Sequence, residues 1–148
     1  KTAIPVISAT VDEGPVYHLA THDDGIVAAT CGQSIVVWDW NNARETAHRL
    51  AARIKTIQTN NSTLYTVCIN ARFVAAAGSG ESIMVWDRES WSLVHYLPLP
   101  KEHPSSCCCL ATNCIMTLDW FHEDSGILVS GGYDGVVTLW TMANRLEE

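Results

Sequence analysis

The sequence predicts an all-β fold of repeated antiparallel sheets, and three observations carry that expectation. Two stretches share one run-up and one ending, IVAATCGQSIVVWD at 26–39 and VAAAGSGESIMVWD at 74–87, and LVSGGYDGVVTLWT at 128–141 fits the same frame. Aligned on Trp38, Trp86 and Trp140, each copy is an apolar strand, a small-residue turn and a second apolar strand closing on tryptophan. Gly, Ser and Thr interrupt every stretch long enough for a helix, and no 3.6-residue period persists. Self-similarity at a fixed period marks a repeat architecture.

Taken in chain order, TAIPVISATV (2–11) reads as one extra strand ahead of the first copy. A further short strand lies about twenty residues before each tryptophan: VYHLAT (16–21), LYTVCI (64–69) and IMTLDW (115–120). Each runs into a polar turn, HDDG, NAR or HEDSG, and in the first and third of these Asp bonds its own backbone. After the tryptophan there is room for a fourth strand, read as ETAHRL (45–50) in the first unit and SLVHYL (92–97) in the second. The units are therefore 14–50, 62–98 and an incomplete 114–141, with an inserted loop at 99–110. Successive tryptophans stand 48 and 54 residues apart. Four short antiparallel strands in a little over forty residues make one blade of a β-propeller.

The third strands explain why such units stack. In SIVVW, Ile35 and Val37 point to one face and Val36 and Trp38 to the other. Ile83 and Val85 oppose Met84 and Trp86 in the second copy, and Val137 and Leu139 oppose Thr138 and Trp140 in the third. A strand apolar on both sides needs cover on both sides, and the neighbouring blade supplies it.

On these residues the chain resembles the WD40-repeat β-propeller family. It carries two intact WD dipeptides, Trp38–Asp39 and Trp86–Asp87, and a weakened Trp140–Thr141, and the resemblance covers about residues 14–141. The implied architecture is a propeller of about three four-stranded blades, as a partial ring or a segment of a larger one. The family usually has a Gly-His pair before the first strand, bonded to an Asp in the turn between the second and third strands. This chain has no Gly-His pair; the turn Asp survives as Asp134, while Gly32 and Gly80 hold the matching places. Only the third unit retains part of that buried polar network, from Asp134, Ser130, Thr138 and Trp140. About three blades do not close a ring, so the remainder is expected from the same polypeptide or from a partner subunit; two copies head to tail would close a six-bladed ring.

Composition narrows the function. Hydrophobic residues make up 47% and charged residues 17%, enough apolar content for a core. No apolar run reaches the length of a membrane span, and no cleavable signal pattern opens the chain. The net charge of −7 disfavours a phosphate-binding surface, and the one loose basic group, Arg44, Arg49, Arg53 and Lys55, reads as solvated strand and loop. Cys31 and Cys68 fall in or beside strands as small buried hydrophobes. Cys107, Cys108, Cys109 and Cys114 cluster near His103, yet three consecutive cysteines in an extended segment alternate sides and no CxxC pair occurs. Neither a metal site nor a cofactor is expected, and the cysteines read as reduced thiols of an intracellular compartment, cytoplasmic or nuclear. No GxSxG, HExxH or P-loop is present, so no catalytic residue is assigned and the chain is not expected to be an enzyme.

What remains is a platform for other proteins or peptides. In the family this chain resembles, the wide binding face is often formed by inter-blade loops and by the turns between second and third strands. Transferred by alignment, those turns are Cys31–Gln33, Ser79–Glu81 and Tyr133–Gly135. The long loop PLPKEHPSS at 98–106 adds Lys101, Glu102 and His103. The candidate partner-binding residues are Gln33, Glu81, Lys101, Glu102, His103, Tyr133 and Asp134, with Tyr133 the best anchor because aromatic rings carry binding energy well. The resemblance implies a noncatalytic scaffold subunit of a multiprotein complex, or alternatively a recognition module of a larger protein with a catalytic domain.

Overall fold

The computed structural model describes residues 10–43, 52–59, 62–80, 82–99, 114–123 and 126–142. Eleven strands and one helical turn form three antiparallel sheets among these residues. The first sheet contains β1 (Val16–Thr21), β2 (Ile26–Cys31), β3 (Ser34–Asp39) and, after the turn α1 (Trp40–Ala43), β4 (Ala52–Gln58), in the order β1-β2-β3-β4. The second contains β5 (Leu64–Ile69), β6 (Phe73–Gly78), β7 (Ser82–Asp87) and β8 (Leu93–Pro98), in sequence order. The third contains β9 (Ile115–Trp120), β10 (Ile127–Gly132) and β11 (Val137–Thr141). This nearly all-β arrangement is consistent with blades of a partial propeller.

β1, β5 and β9 coincide with the three first strands read from the sequence. The fourth strand of the first sheet does not: it runs Ala52–Gln58 rather than 45–50, and residues 44–51 lie outside the described residues. ARIKTIQ holds the β-branched Ile54, Thr56 and Ile57, whereas ETAHRL holds only Thr46, and Ile57 is the register partner of Ile35. The expected extra strand at 2–11 falls mostly outside the described residues as well.

The sheets stack through the faces that alternation predicts. Ile35 and Val37 of β3 pack with Leu64, Val67, Val74 and Trp86 in one core between the first and second sheets. Ile83 and Val85 of β7 pack with Ile115, Leu118, Trp120 and Leu128 in another between the second and third. Phe73 stacks on Trp120 across that junction at 5.7 Å between ring centroids. Val36 and Trp38 form a smaller cluster on the far face of the first sheet with Ala29 and Cys31. Burial pushes the Cys31 and Cys68 thiols up, as small core residues require. Contacts of β1 with β5 and of β5 with β9 set the first strands side by side along the inner edge, with the fourth strands outside.

Polar ties lock this stacking at one repeated position. The third residue of each first strand is His18, Thr66 or Thr117, and the fourth is Leu19, Val67 or Leu118. His18 Nδ1 lies 3.0 Å from the Val67 carbonyl oxygen and 3.3 Å from its amide nitrogen. One sheet on, the Leu118 N–H donates to Thr66 Oγ1 at 3.1 Å. Thus the third residue of each of the first two sheets grips the backbone of the fourth residue in the next.

The third sheet shows what an uncovered face looks like. Val137 and Leu139, which match Ile83 and Val85, are 69% and 61% exposed. Ile83→Ala should therefore cost roughly 2–5 kcal/mol, whereas Leu139→Ala should stay within about 0.5 kcal/mol. Urea unfolding of the two variants measures the difference, and equal losses would contradict the stacking.

Candidate recognition surface

The sheets present two rims. One carries the β2–β3, β6–β7 and β10–β11 turns together with the starts of β1, β5 and β9; the other carries the turns that leave those first strands and the turns after β3 and β7.

The first rim is built by close backbone approach. The β2–β3 loop is only Gly32 and Gln33, and Gly32 has φ 60°, which favours glycine. A Cβ there would come 2.7 Å from the Glu13 carbonyl oxygen. The following chain returns over this loop: the Gly32 carbonyl accepts from the Leu64 N–H at 2.8 Å and the Gln33 carbonyl from the Thr59 N–H at 2.9 Å. A Cβ on Gly80 would meet Ser62 Oγ at 2.6 Å. Backbone contact at Gly32 leaves no room there for the Asp that the third copy keeps, whereas at Gly80 only the Ser62 side chain stands close.

Where room exists, Asp134 stays out of the core. It is exposed, and its Oδ1 accepts from the Val136 N–H at 3.0 Å within its own turn. The buried bond of that unit joins Trp140 and Ser130, with Trp140 Nε1–H donating to Ser130 Oγ at 2.8 Å. Thr138 is the register partner of Ser130. Asp39 and Asp87 cap the turns of the opposite rim: Asp39 Oδ1 accepts from the Asn41 N–H at 3.1 Å, and Asp87 Oδ1 from the Ser90 N–H at 2.9 Å. The backbone bond from Ser90 is the main reason that the Asp87 carboxyl lies below its ordinary range.

Of the candidate binding residues, Gln33, Tyr133 and Asp134 are exposed on the first rim, with Tyr133 the most open at 73%. Glu81, Lys101, Glu102 and His103 lie outside the described residues, as do Cys107, Cys108 and Cys109. Among the described residues no group of His, Cys, Asp and Glu is placed to hold a metal ion, and no helix is long and apolar enough to cross a membrane.

Three further residues join this rim that sequence reasoning did not single out. β1, β5 and β9 each break register at their second residue: pairing skips from Val16 to His18, from Leu64 to Thr66 and from Ile115 to Thr117. The skipped residues are Tyr17, Tyr65 and Met116. A bulge re-aims a side chain out of the alternation. Tyr17 and Met116 are 48% and 43% exposed, Tyr65 is half-buried, and the Tyr17 and Tyr65 rings meet edge to face at 5.6 Å. The inner edge of the three sheets thus carries aromatic and thioether side chains at one repeated station beside the turn tips.

Residues 97–141 match the family model for the WD domain, G-beta repeat. No curated protein matches the chain. The match and the stacked sheets are consistent with a WD40-repeat family, and a repeat of this kind indicates a protein–protein interaction module.

Ser130→Ala should leave the Trp140 indole N–H without its partner and cost roughly 1–3 kcal/mol. Chemical denaturation checks it; an unchanged midpoint would show that the indole finds another acceptor.

Proposed function

We propose that this chain is a noncatalytic scaffold, a propeller-type subunit that holds other proteins or peptides of a multiprotein complex on its first rim. The observation that carries the reading is the thrice-repeated bulge that turns Tyr17, Tyr65 and Met116 out of the core and beside Gln33, Tyr133 and Asp134. Tyr presents large contact area with few frozen torsions, Met adds a polarizable side chain that adapts to its partner, and Gln33 and Asp134 add polar contacts at the margin. The occupant that suits this surface is a protein segment with apolar anchor side chains.

A photo-crosslinking residue at position 17 or 65 should capture the same partner, and one at Glu89 on the opposite rim should not. Tyr17→Ala with Tyr65→Ala should weaken that partner about 30-fold, the equivalent of about 2 kcal/mol, with thermal unfolding little changed. Wild-type affinity in the double variant would remove the reading.

The open face of the third sheet, with Val137 and Leu139, belongs to the same proposal: it takes a further sheet of the same kind, from this polypeptide or a partner subunit. For the 148-residue chain alone, sedimentation velocity distinguishes the two sources. Dimers that Leu139→Asp disperses would support a ring completed by a second copy, and a monodisperse monomer would exclude that ring.

A further inference from the structure

The opposite rim brings together side chains from all three sheets. His22 follows β1, and its side chain is 11% exposed. Its Nδ1 lies 2.8 Å from Asp24 Oδ1 in the same turn, and its Nε2 lies 3.1 Å from Glu123 Oε2 in the turn after β9. Arg88, after β7 in the second sheet, reaches Asp24 Oδ2 at 2.5 Å, donates to the Asn70 carbonyl, and stands 3.4 Å from His22 Nδ1. Asp23 and His122 flank the group in sequence, and the Arg72–Asp87 pair, at 3.9 Å, lies on the same rim.

A neutral imidazole carries one N–H, so it donates to one carboxylate; an imidazolium carries two and donates to both. Two carboxylates and one guanidinium leave this group one negative charge in excess, which protonation of His22 cancels. The partners differ in freedom. Asp24 is held by Arg88 and by the Ile26 N–H, which donates to its Oδ1 at 3.1 Å. Glu123, 61% exposed, is bonded through its side chain to His22 alone among the described residues.

We propose that His22 is a proton-controlled clasp that ties the first sheet to the third across the second, closed with the ring protonated and open with it neutral. When the proton leaves, Nδ1–H stays with the fixed Asp24, Nε2 turns a lone pair toward Glu123, and Glu123 swings away into solvent. The clasp thereby sets how firmly the outer sheets are held against the middle one.

The direction of the effect follows from the surroundings. Burial is the largest influence and favours the neutral ring, but the hydrogen bonds to Asp24 and Glu123 together outweigh it and raise His22 above its ordinary 6.5. A raised folded-state value means that the stabilisation is complete below the unfolded value and lost as pH rises through the folded one. Burial likewise pushes Asp24 up, but the bonds from His22 and Arg88 outweigh it and hold its carboxyl below 3.8. The clasp is therefore closed across the mildly acidic range, weakens in strong acid as Asp24 protonates, and opens above the His22 midpoint.

The test is a proton-NMR titration of the His22 ring in the full chain, with amide hydrogen exchange at Phe121, whose N–H donates to the Ile127 carbonyl and closes the β9–β10 turn at 2.9 Å. The His22 midpoint should lie above 6.5, and Phe121 protection, corrected for intrinsic base catalysis, should fall several-fold as pH passes through it. Glu123→Gln, an exposed change that keeps the fold, should move the midpoint down and remove the step in protection. A midpoint indifferent to Glu123→Gln, or Phe121 protection that stays flat while His22 titrates in the wild type, would overturn the proposal.

Discussion

The structure depends on a strand that is apolar on both faces. In β7, Ile83 and Val85 are covered by the third sheet while Trp86 and half-buried Met84 pack toward the first. Each aliphatic side chain removed from water contributes roughly 1.5–3 kcal/mol, and a lone sheet covers neither face. The second sheet is therefore stable only as the middle of a stack. Its neighbours inherit the same requirement through Ile35 and Val37 on one side and Leu118 and Leu128 on the other. Placing the first strands side by side follows, because that is how both faces of the middle sheet meet a partner.

Hydrophobic contact alone does not fix how far one sheet slides along the next. The ties from His18 to Val67 and from Thr66 to Leu118 set that register with directional bonds. Both lie at the inner edge; the Thr66–Leu118 bond is buried, where an unmade bond costs most, and the His18–Val67 bond is part-buried. This chain lacks the Gly-His and Asp pairing that stiffens many repeats of the type it resembles. Its directional polar bonds lie instead partly between sheets rather than within them, so cohesion in the stack rests more on the junctions.

Much of this was legible in the sequence. Trp38, Trp86 and Trp140 set the frame, and the alternation around them assigned Ile35, Val37, Ile83 and Val85 to the correct junctions. Two features were not legible. The fourth strand of the first sheet lies at 52–58 because Ile57 pairs with Ile35, a nonlocal contact that competed with an equally short polar segment at 45–50. Tyr17, Tyr65 and Met116 were not singled out, and strict alternation puts each on the same side as Leu19, Val67 or Leu118. A bulge adds one residue and cancels that alternation, and a single strand carries no local mark of it. The available signal was the recurrence of a large, soft side chain at the second place of all three first strands.

The two rims divide the work because their turns obey different constraints. On the first rim, returning chain crowds Gly32, and large groups project from the adjacent bulges as well as from Tyr133 at a turn tip. On the second rim Asp24, Asp39 and Asp87 bond their own backbones, and Asp24 also meets His22 and Arg88. The exposed Tyr17, Met116 and Tyr133 side chains therefore lie at one end of the stack and the His22, Asp24 and Arg88 group at the other. β1 joins the two ends, with Tyr17 near its start and His22 just past its finish, and His18 between them fastened to the second sheet. A shift of the first sheet against the second that loosens the His18 bond would also change the spacing of Tyr17 and Tyr65, whose rings meet across the same junction.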